Sequence, residues 1–232
     1  MGPKVIVSYD GTANDRDALA FGRILAQAGA SLSLAYVRHA QESEIAQERL
    51  EEQEARDLLA RGAASLGGEV QQHVVLSGST GKGLWELAER ERADIIVFGS
   101  DYRTPVGRVQ AQNSAKRLLD GGPVAVGIAP AGLRDRDSLA IERVGVIPDD
   151  GDEAALQTAK ALAIALDATL AGSIDEPIDL LVAGSRPEAP EGRVMVSASV
   201  EYAIENAFSP VLVAPRGVVL GFGAPSHDLA TA

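Results

Sequence analysis

Cysteine is absent from the 232 residues of this chain, which excludes disulfide bonds and thiolate chemistry. Aromatic residues make up only 4%, so the core must be built from aliphatic side chains and alanine. No apolar run approaches the roughly 18 residues that cross a bilayer. Acidic residues outnumber basic ones, and the net charge of −12 argues against nucleic acid or an anionic membrane as a partner. We therefore expect a cytoplasmic protein whose partners include neither nucleic acid nor a membrane.

The remaining composition, with 46% hydrophobic and 23% charged residues, is typical of a globular protein. Short apolar runs alternate with amphipathic segments, and this alternation predicts a parallel sheet with helices on both faces. The predicted strands are residues 5–10, 32–37, 70–76, 94–98 and 124–128. The predicted helices between them are residues 15–28, 42–66, 83–92 and 114–119.

Residues 94–132 occur a second time, in altered form, as residues 179–217. The two segments align without a gap, and identical residues recur in a single register. Matching residues are Gly99-Ser100 with Gly184-Ser185, Pro105 with Pro190, Gly107-Arg108-Val109 with Gly192-Arg193-Val194, Ser114 with Ser199, and Ala129-Pro130 with Ala214-Pro215. We interpret the repeat as an internal duplication.

These repeated residues resemble the C-terminal half of a universal stress protein domain. The signature of that family is Gly, two residues, Gly, nine residues, and then Gly-Ser or Gly-Thr. The resemblance implies a complete domain over residues 1–132 and a shortened one over residues 140–217. The implied fold is α/β: an open parallel sheet of five strands in the order 3-2-1-4-5 with helices on both faces, plus a reduced second copy. Residues 218–232 lack periodicity and are expected to form a mobile tail.

The second copy lacks a counterpart of residues 40–93, which hold a charged helix, a strand and a further helix in the first copy. Residues 169–174 would be its second strand, and only residues 175–177 separate them from the next one. A parallel crossover needs about a dozen residues. We therefore expect residues 169–174 to run antiparallel or to form a loop.

In an open α/β sheet, ligands bind at the carboxyl ends of the strands, where the strand order reverses. The resemblance implies a crevice at the ends of the first and fourth strands, formed by Asp10, Gly11, Thr12, Gly99 and Ser100. It also implies that Asp10 lies near ribose or a metal and that Val37 touches adenine. Alternatively, Asp10 belongs to a turn that caps the first helix, and Val37 is an apolar strand end that needs no ligand.

The phosphate loop departs from the family signature. Tyr102 stands at the second Gly, and Gln112-Asn113 stands at the Gly-Ser pair. Side chains at these positions crowd the approach of phosphate to backbone amides. Asn113 and Ser114 could still donate hydrogen bonds at the helix start, and Arg103 or Arg108 could supply positive charge. The alternative is that Asn113 or Ser114 only caps the helix.

ATP or AMP is the ligand that the resemblance implies, in the N-terminal copy only. It implies a stress-response and regulatory factor rather than an enzyme. The sequence itself shows no catalytic constellation and no histidines at metal-ligand spacing. The first alternative is a nucleotide-free interaction module. The second is an enzyme of the adenine-nucleotide hydrolase class, for which the sequence offers neither an intact phosphate loop nor an acid–base pair.

The fifth strands of the two copies, residues 124–128 and 211–214, each fall at a sheet edge in the order 3-2-1-4-5. Natural proteins cover such apolar edges because they promote aggregation. The resemblance implies antiparallel pairing of two fifth strands. We therefore predict that these strands pair within the chain as a pseudo-dimer about a pseudo-twofold axis, with or without a further homodimer.

Overall fold

A computed structural model describes residues 2–39, 45–67, 69–147, 153–173 and 176–223. Its helices are α1 (Ala13–Gln27), α2 (Ile45–Leu66), α3 (Thr80–Glu91), α4 (Asn113–Leu119), α5 (Ala154–Ala165) and α6 (Ala198–Asn206). Its strands are β1 (Lys4–Ser8), β2 (Ser31–His39), β3 (Gln71–Ser77), β4 (Ile95–Gly99), β5 (Asp120–Gly122), β6 (Ala125–Ala129), β7 (Arg143–Ile147), β8 (Thr169–Leu170), β9 (Leu180–Ala183), β10 (Val194–Met195) and β11 (Val211–Val213). Residues 42–44, where the second helix was predicted to begin, lie outside the described residues.

Five parallel strands form the N-terminal half of the main sheet, in the order β3-β2-β1-β4-β6. Since β6 is the fifth predicted strand, the order 3-2-1-4-5 is confirmed, and so is the α/β class. Every residue of β4 and β6 is buried. Burial on both faces explains why these strands are continuous apolar runs in the sequence rather than alternating ones.

Helices cover both faces of the sheet and create two cores. One core lies under α1, α2 and α5, where Phe21 and Leu59 are fully buried. The other lies under α3, α4 and α6, where Leu84 and Leu87 are fully buried. Each core draws residues from both halves of the chain, so the packing is continuous between them. Within the described ranges, none of the helices has the length and apolarity to cross a membrane.

The two halves meet at a seam, which we define as the antiparallel pairing of β6 with β11. Ile128 lies opposite Val211, and Val126 lies opposite Val213. The predicted pairing of residues 124–128 with residues 211–214 is therefore confirmed. It produces one nine-stranded sheet in the order β3-β2-β1-β4-β6-β11-β9-β7-β8. All residues of β6 and β11 are buried, so the chain covers its own apolar edge.

A second, smaller sheet also joins the halves. Gly122 of β5 pairs with Val194 of β10 in the antiparallel sense. The N–H of Val196 donates to the carbonyl of Leu119 over 3.2 Å just beyond this pair. Gly122 suits this place because a Cβ there would lie 2.4 Å from the carbonyl oxygen of Leu118. This pairing was not predicted from the sequence.

The prediction of a loop is confirmed for residues 171–173, whereas the antiparallel alternative is wrong for residues 169–170. Thr169 and Leu170 form the short strand β8, which is parallel to β7 at the outer edge of the sheet. The length of β8 explains the difference. β8 is only two residues long. The chain after it therefore does not have to run back over the length of a full strand before β9 begins at Leu180. It has only to pass β7, a distance of two strand spacings of about 4.8 Å each.

The connection between the halves is fastened to α1 by a buried carboxylate. Asp17 is fully buried and accepts the N–H of Gly132 at 2.8 Å and the N–H of Arg134 at 2.9 Å. The Arg134 guanidinium donates to the same carboxylate over 2.9 Å. A buried charge requires such partners to offset its lost hydration. The chain that leaves β6 is therefore held against the N-terminal core.

Residues 218–223 pack on the core, so the expectation of a mobile tail from residue 218 is corrected for this stretch. Leu220 is buried, and its N–H donates to the Thr158 hydroxyl of α5 over 3.0 Å. Val218 and Phe222 pack on the same core. Apolar side chains at every second position of this segment pack beside α5. The sequence has no longer periodicity here, so this packing was not predicted. Residues 224–232 lie outside the described residues.

Candidate functional site

The candidate crevice lies where the strand order reverses, between the carboxyl ends of β1 and β4. Asn14, in the first turn of α1, bridges the two strands, because its side-chain amide donates to the Ser100 carbonyl over 2.8 Å. Gly99 permits this approach, since a Cβ there would lie 2.1 Å from the Asn14 carbonyl oxygen. The predicted residues at the ends of these strands are thus brought together, and Asn14, which was not predicted, connects them.

The turn between β1 and α1 is organised by Asp10 and Thr12. The N–H of Thr12 donates to the Asp10 carboxylate over 3.0 Å, and the Thr12 hydroxyl accepts the N–H of Asp15 over 3.4 Å. Thr12, rather than Asp10, is therefore the residue that caps α1. Gly11 has a φ of +84°, and a Cβ there would meet the side chain of Leu58 on α2 at 2.5 Å. The positive φ is the reason that glycine is favoured at this position, since the Leu58 methyl group can move aside.

Asp10 and Asp15 form a carboxyl pair in this turn. Asp15 is buried, and its carboxyl accepts the N–H of Asp10. Burial, followed by the neighbouring Asp10, raises the pKa of Asp15 to about 9. Lost hydration opposes ionisation of Asp10, but hydrogen bonds from Asp15 and Thr12 lower its pKa below the ordinary value. At neutral pH the pair therefore carries one proton, on Asp15, and one negative charge, on Asp10.

Asp15 was not predicted as a site residue, although a signal for it exists. A Thr followed three residues later by an acidic residue is the pattern of a helix capping box, and Thr12 and Asp15 have this spacing. In the usual capping box, the acidic side chain accepts the N–H of the cap residue itself. Here it accepts the N–H of Asp10.

The loop that follows β4 is closed by its own hydrogen bonds. The Ser100 hydroxyl donates to the Ala129 carbonyl over 2.7 Å and accepts the N–H of Gln110 over 3.2 Å. Four further N–H groups of the loop donate to carbonyls. Those of Asp101, Thr104 and Arg108 bond carbonyls of the loop itself, and that of Gly107 bonds the Ala131 carbonyl. A phosphate cradle needs free amides. Several amides of this loop are already engaged by protein acceptors.

The residues at the signature glycine positions confirm the departure from the family pattern. Tyr102 is 74% exposed, and the Arg103 guanidinium lies 4.9 Å from the centre of its ring. Gln112 precedes the first helical residue of α4, and its amide donates to the Gly99 carbonyl over 3.4 Å. The alternative in which Asn113 or Ser114 caps this helix is not realised, because Gln112 holds the cap position and makes no side-chain cap bond.

Arg108 lies outside the crevice, contrary to its predicted place there. Its guanidinium lies 4.0 Å from the centre of the Phe208 ring and donates to the Asn206 carbonyl over 3.4 Å. Both partners follow or end α6 and belong to the C-terminal half. Arg108 therefore spans the seam in this structure.

A cleft of about 520 Å³ lies between the end of β2 and α2. It is lined by Tyr36, Arg38, His39, Glu51, Glu54, Ala55, Leu58 and Arg61. Leu58 also meets Gly11, so the cleft adjoins the turn that holds Asp10. The Val37 side chain points to the opposite core, where it lies beside Gly83. The side chains that β2 presents to the cleft are instead those of its neighbours Tyr36 and Arg38.

The C-terminal half repeats the internal hydrogen bonds of the loop. The Ser185 hydroxyl donates to the Ala214 carbonyl over 2.7 Å and accepts the N–H of Met195 over 3.3 Å, as Ser100 does in the N-terminal half. Gly192 donates to the Arg216 carbonyl, as Gly107 donates to Ala131. The same pattern of hydrogen bonds thus closes the loops after β4 and β9.

The profile of the Universal stress protein family matches residues 1–130. No curated protein matches the chain significantly. Among solved structures, a universal stress protein from Archaeoglobus fulgidus DSM 4304 is 14% identical, with a TM-score of 0.68 over 92% of this chain and 98% of that one. A functionally unknown protein from Pseudomonas aeruginosa PAO1 is 12% identical, with a TM-score of 0.63 over 92% of each chain. A shorter universal stress protein, solved in complex with cAMP, is 22% identical over 56% of this chain and 97% of that one, with a TM-score of 0.41.

Proposed function

The chain belongs to the universal stress protein family, and from that premise we propose that it is a cytoplasmic stress-response regulator whose N-terminal half binds an adenine nucleotide. It acts by binding rather than by catalysis. The observation that carries this proposal is the cleft of about 520 Å³ at the end of β2, next to the Asp10 turn. Its volume falls in the range of about 300–1,000 Å³ that is usual for small-molecule sites.

The lining of the cleft suits a nucleoside. Tyr36 and Leu58 offer flat and apolar surface to adenine, and the ionised Asp10 accepts hydrogen bonds from ribose hydroxyls. The proton on Asp15 keeps the pair at a single negative charge. A phosphorylated ligand therefore meets less repulsion than two carboxylates would cause, and Arg61 on the wall of the cleft supplies a positive charge.

The phosphates contribute little in this proposal. Several amides of the loop after β4 are engaged by protein acceptors, and Arg108 stacks on Phe208. Binding should therefore depend mainly on the nucleoside. We expect adenosine, AMP and ATP to bind with affinities within about tenfold of one another, or about 1.4 kcal/mol.

Calorimetric titration of the three ligands tests the proposal. Asp10→Asn keeps the acceptor for the Thr12 N–H but removes the charge, and it should weaken all three ligands by about 1–2 kcal/mol. Asp94→Asn is the matched control: Asp94 is also exposed, but it accepts the Lys4 N–H at the amino end of β4, on the opposite edge of the sheet. Equal weakening by the two variants would refute a site at Asp10.

A second candidate, a nucleotide-free interaction module, is favoured by the closed loop. Ser100, Gln110 and Gln112 hold that loop without a ligand. If none of the three ligands gives a heat signal at millimolar concentration, and the purified protein releases no nucleotide on denaturation, this candidate replaces the first.

A further inference from the structure

A cavity of about 330 Å³ lies between α4 and α6, beside the seam. Its floor is apolar: Leu119 of α4 is 5% exposed and Ile204 of α6 is 3% exposed. One helix belongs to the N-terminal half and the other to the C-terminal half. The cavity therefore exists only because the two halves are paired.

The rim of this cavity carries an excess of negative charge. Asp120, Glu201 and Glu205 line it together with one ammonium group, that of Lys116, and all four residues are exposed. Within the described part of the chain, the three carboxylates make no ion pair and no side-chain hydrogen bond. Glu201 and Glu205 are four residues apart on α6, so they share one face of the helix and repel each other.

We propose that this cavity binds a small amphiphilic amine, a ligand with an apolar body and one ammonium group. The body would cover Leu119 and Ile204 and release water from them. The ammonium group would lie among the carboxylates, where charge-assisted hydrogen bonds form and the repulsion between Glu201 and Glu205 is relieved. An anion of the same shape would meet three like charges and a single Lys116.

The cavity is separate from the proposed nucleotide site. Leu119 and Ile204 belong to the core under α3, α4 and α6. The cleft at the end of β2 lies on the other face of the sheet, against α2. Failure of either proposal therefore leaves the other intact.

Two probes of similar shape and opposite charge test the inference: phenethylamine and 3-phenylpropionate. Titrations followed by amide chemical shifts should place phenethylamine at α4 and α6, with an affinity at least about threefold higher than that of 3-phenylpropionate. The double variant Glu201→Gln/Glu205→Gln should weaken phenethylamine binding by about three- to tenfold and leave 3-phenylpropionate unchanged or improved.

The control is Glu188→Gln/Glu191→Gln, which changes the net charge equally at two exposed positions outside the lining of the cavity. It should leave both affinities unchanged. Ala111→Leu, which adds bulk to the wall of the cavity, should weaken both probes. Three results would each overturn the inference: equal affinity for the two probes, equal effects of the two double variants, or shifts confined to β2 and α2.

Discussion

The guanidinium of Arg108 lies 4.0 Å from the centre of the Phe208 ring, which connects a loop of the N-terminal half to the C-terminal half. The reverse contact also exists: Arg193, in the loop after β9, lies 5.2 Å from the centre of the Trp85 ring on α3. Each arginine follows a glycine of positive φ at the matching place in its loop. The loops after β4 and β9 therefore each contact the opposite half of the molecule across the seam.

We expect the Arg108–Phe208 contact to be energetically coupled. Both groups are partly exposed, so the cation–π contribution should be about 0.5–1 kcal/mol. Urea unfolding of Arg108→Ala, Phe208→Ala and the double variant measures the coupling. Arg103 and Tyr102, which stack within one loop, provide the control cycle and should leave the contact between the halves unaffected. Strict additivity for Arg108 and Phe208 would contradict the prediction.

Gly99→Ala should destabilise the protein by about 1–3 kcal/mol, the usual cost of overpacking. The added Cβ would lie 2.1 Å from the Asn14 carbonyl, and a backbone atom cannot easily move away. Gly78→Ala is the control, because nothing lies within 4 Å of its Cβ position. That change should stay within about 0.5 kcal/mol. Equal midpoints of denaturant unfolding for the two variants would refute the close packing of α1 on β4.

Disruption of the seam should destabilise both halves together. Leu212 is fully buried in β11, and its core also contains Phe21 and Leu59 from the N-terminal half. Leu212→Ala should cost about 2–5 kcal/mol and preserve a single unfolding transition. Val126→Asp, which buries a charge in β6, should unfold the C-terminal half along with the N-terminal half. Hydrogen exchange is the measurement: free exchange in β11 with continued protection of β1 in Leu212→Ala would show that the halves unfold separately.

Stability should fall as the pH rises from about 4 to 9, because of Asp15. The pKa of Asp15 is raised to about 9 by burial, above an unfolded value of about 3.9, so the folded state binds one more proton in this interval. The Asp15 contribution is complete below pH 4 and declines by up to about 1.4 kcal/mol per pH unit above it. The lowered pKa of Asp10 makes stability rise with pH instead, but only below about pH 4.

Asp15→Asn tests the contribution of Asp15 to this pH dependence, since the amide has a similar shape but does not titrate. Unfolding free energies at pH 6, 7 and 8 should decline less steeply in the variant than in the wild type. Parallel pH dependences would mean that Asp15 is ionised in the folded protein.

The sequence predicted those features that depend on local patterns. Apolar runs located β1, β4 and β6, and the family resemblance supplied their order and the pairing with β11. The helix α6 was missed because only Val200 and Ile204 are buried among its residues, too few to give a periodic signal. The strand β5 is three residues long, and its pairing depends on a partner far along the chain.

The candidate site was predicted less completely, for reasons that involve distant parts of the chain. Arg108 was expected in the crevice, but Phe208 reaches it only because β6 and β11 are antiparallel. Val37 was expected to face a ligand, but the alternation of β2 directs its side chain into the core with Gly83. The engagement of the loop amides by carbonyls such as Ala131 could not be deduced from residue types.

The pairing of β6 with β11 also sets a requirement on synthesis. Translation proceeds from the N-terminus at about 5–20 residues per second, so the chain through β6 leaves the ribosome several seconds before Val213 does. Throughout that interval the apolar edge at β6 has no partner from its own chain. Neighbouring nascent chains on one messenger could pair through this edge. The period of greatest exposure to misassembly, and of greatest demand for chaperones, therefore falls between the completion of β6 and the emergence of β11.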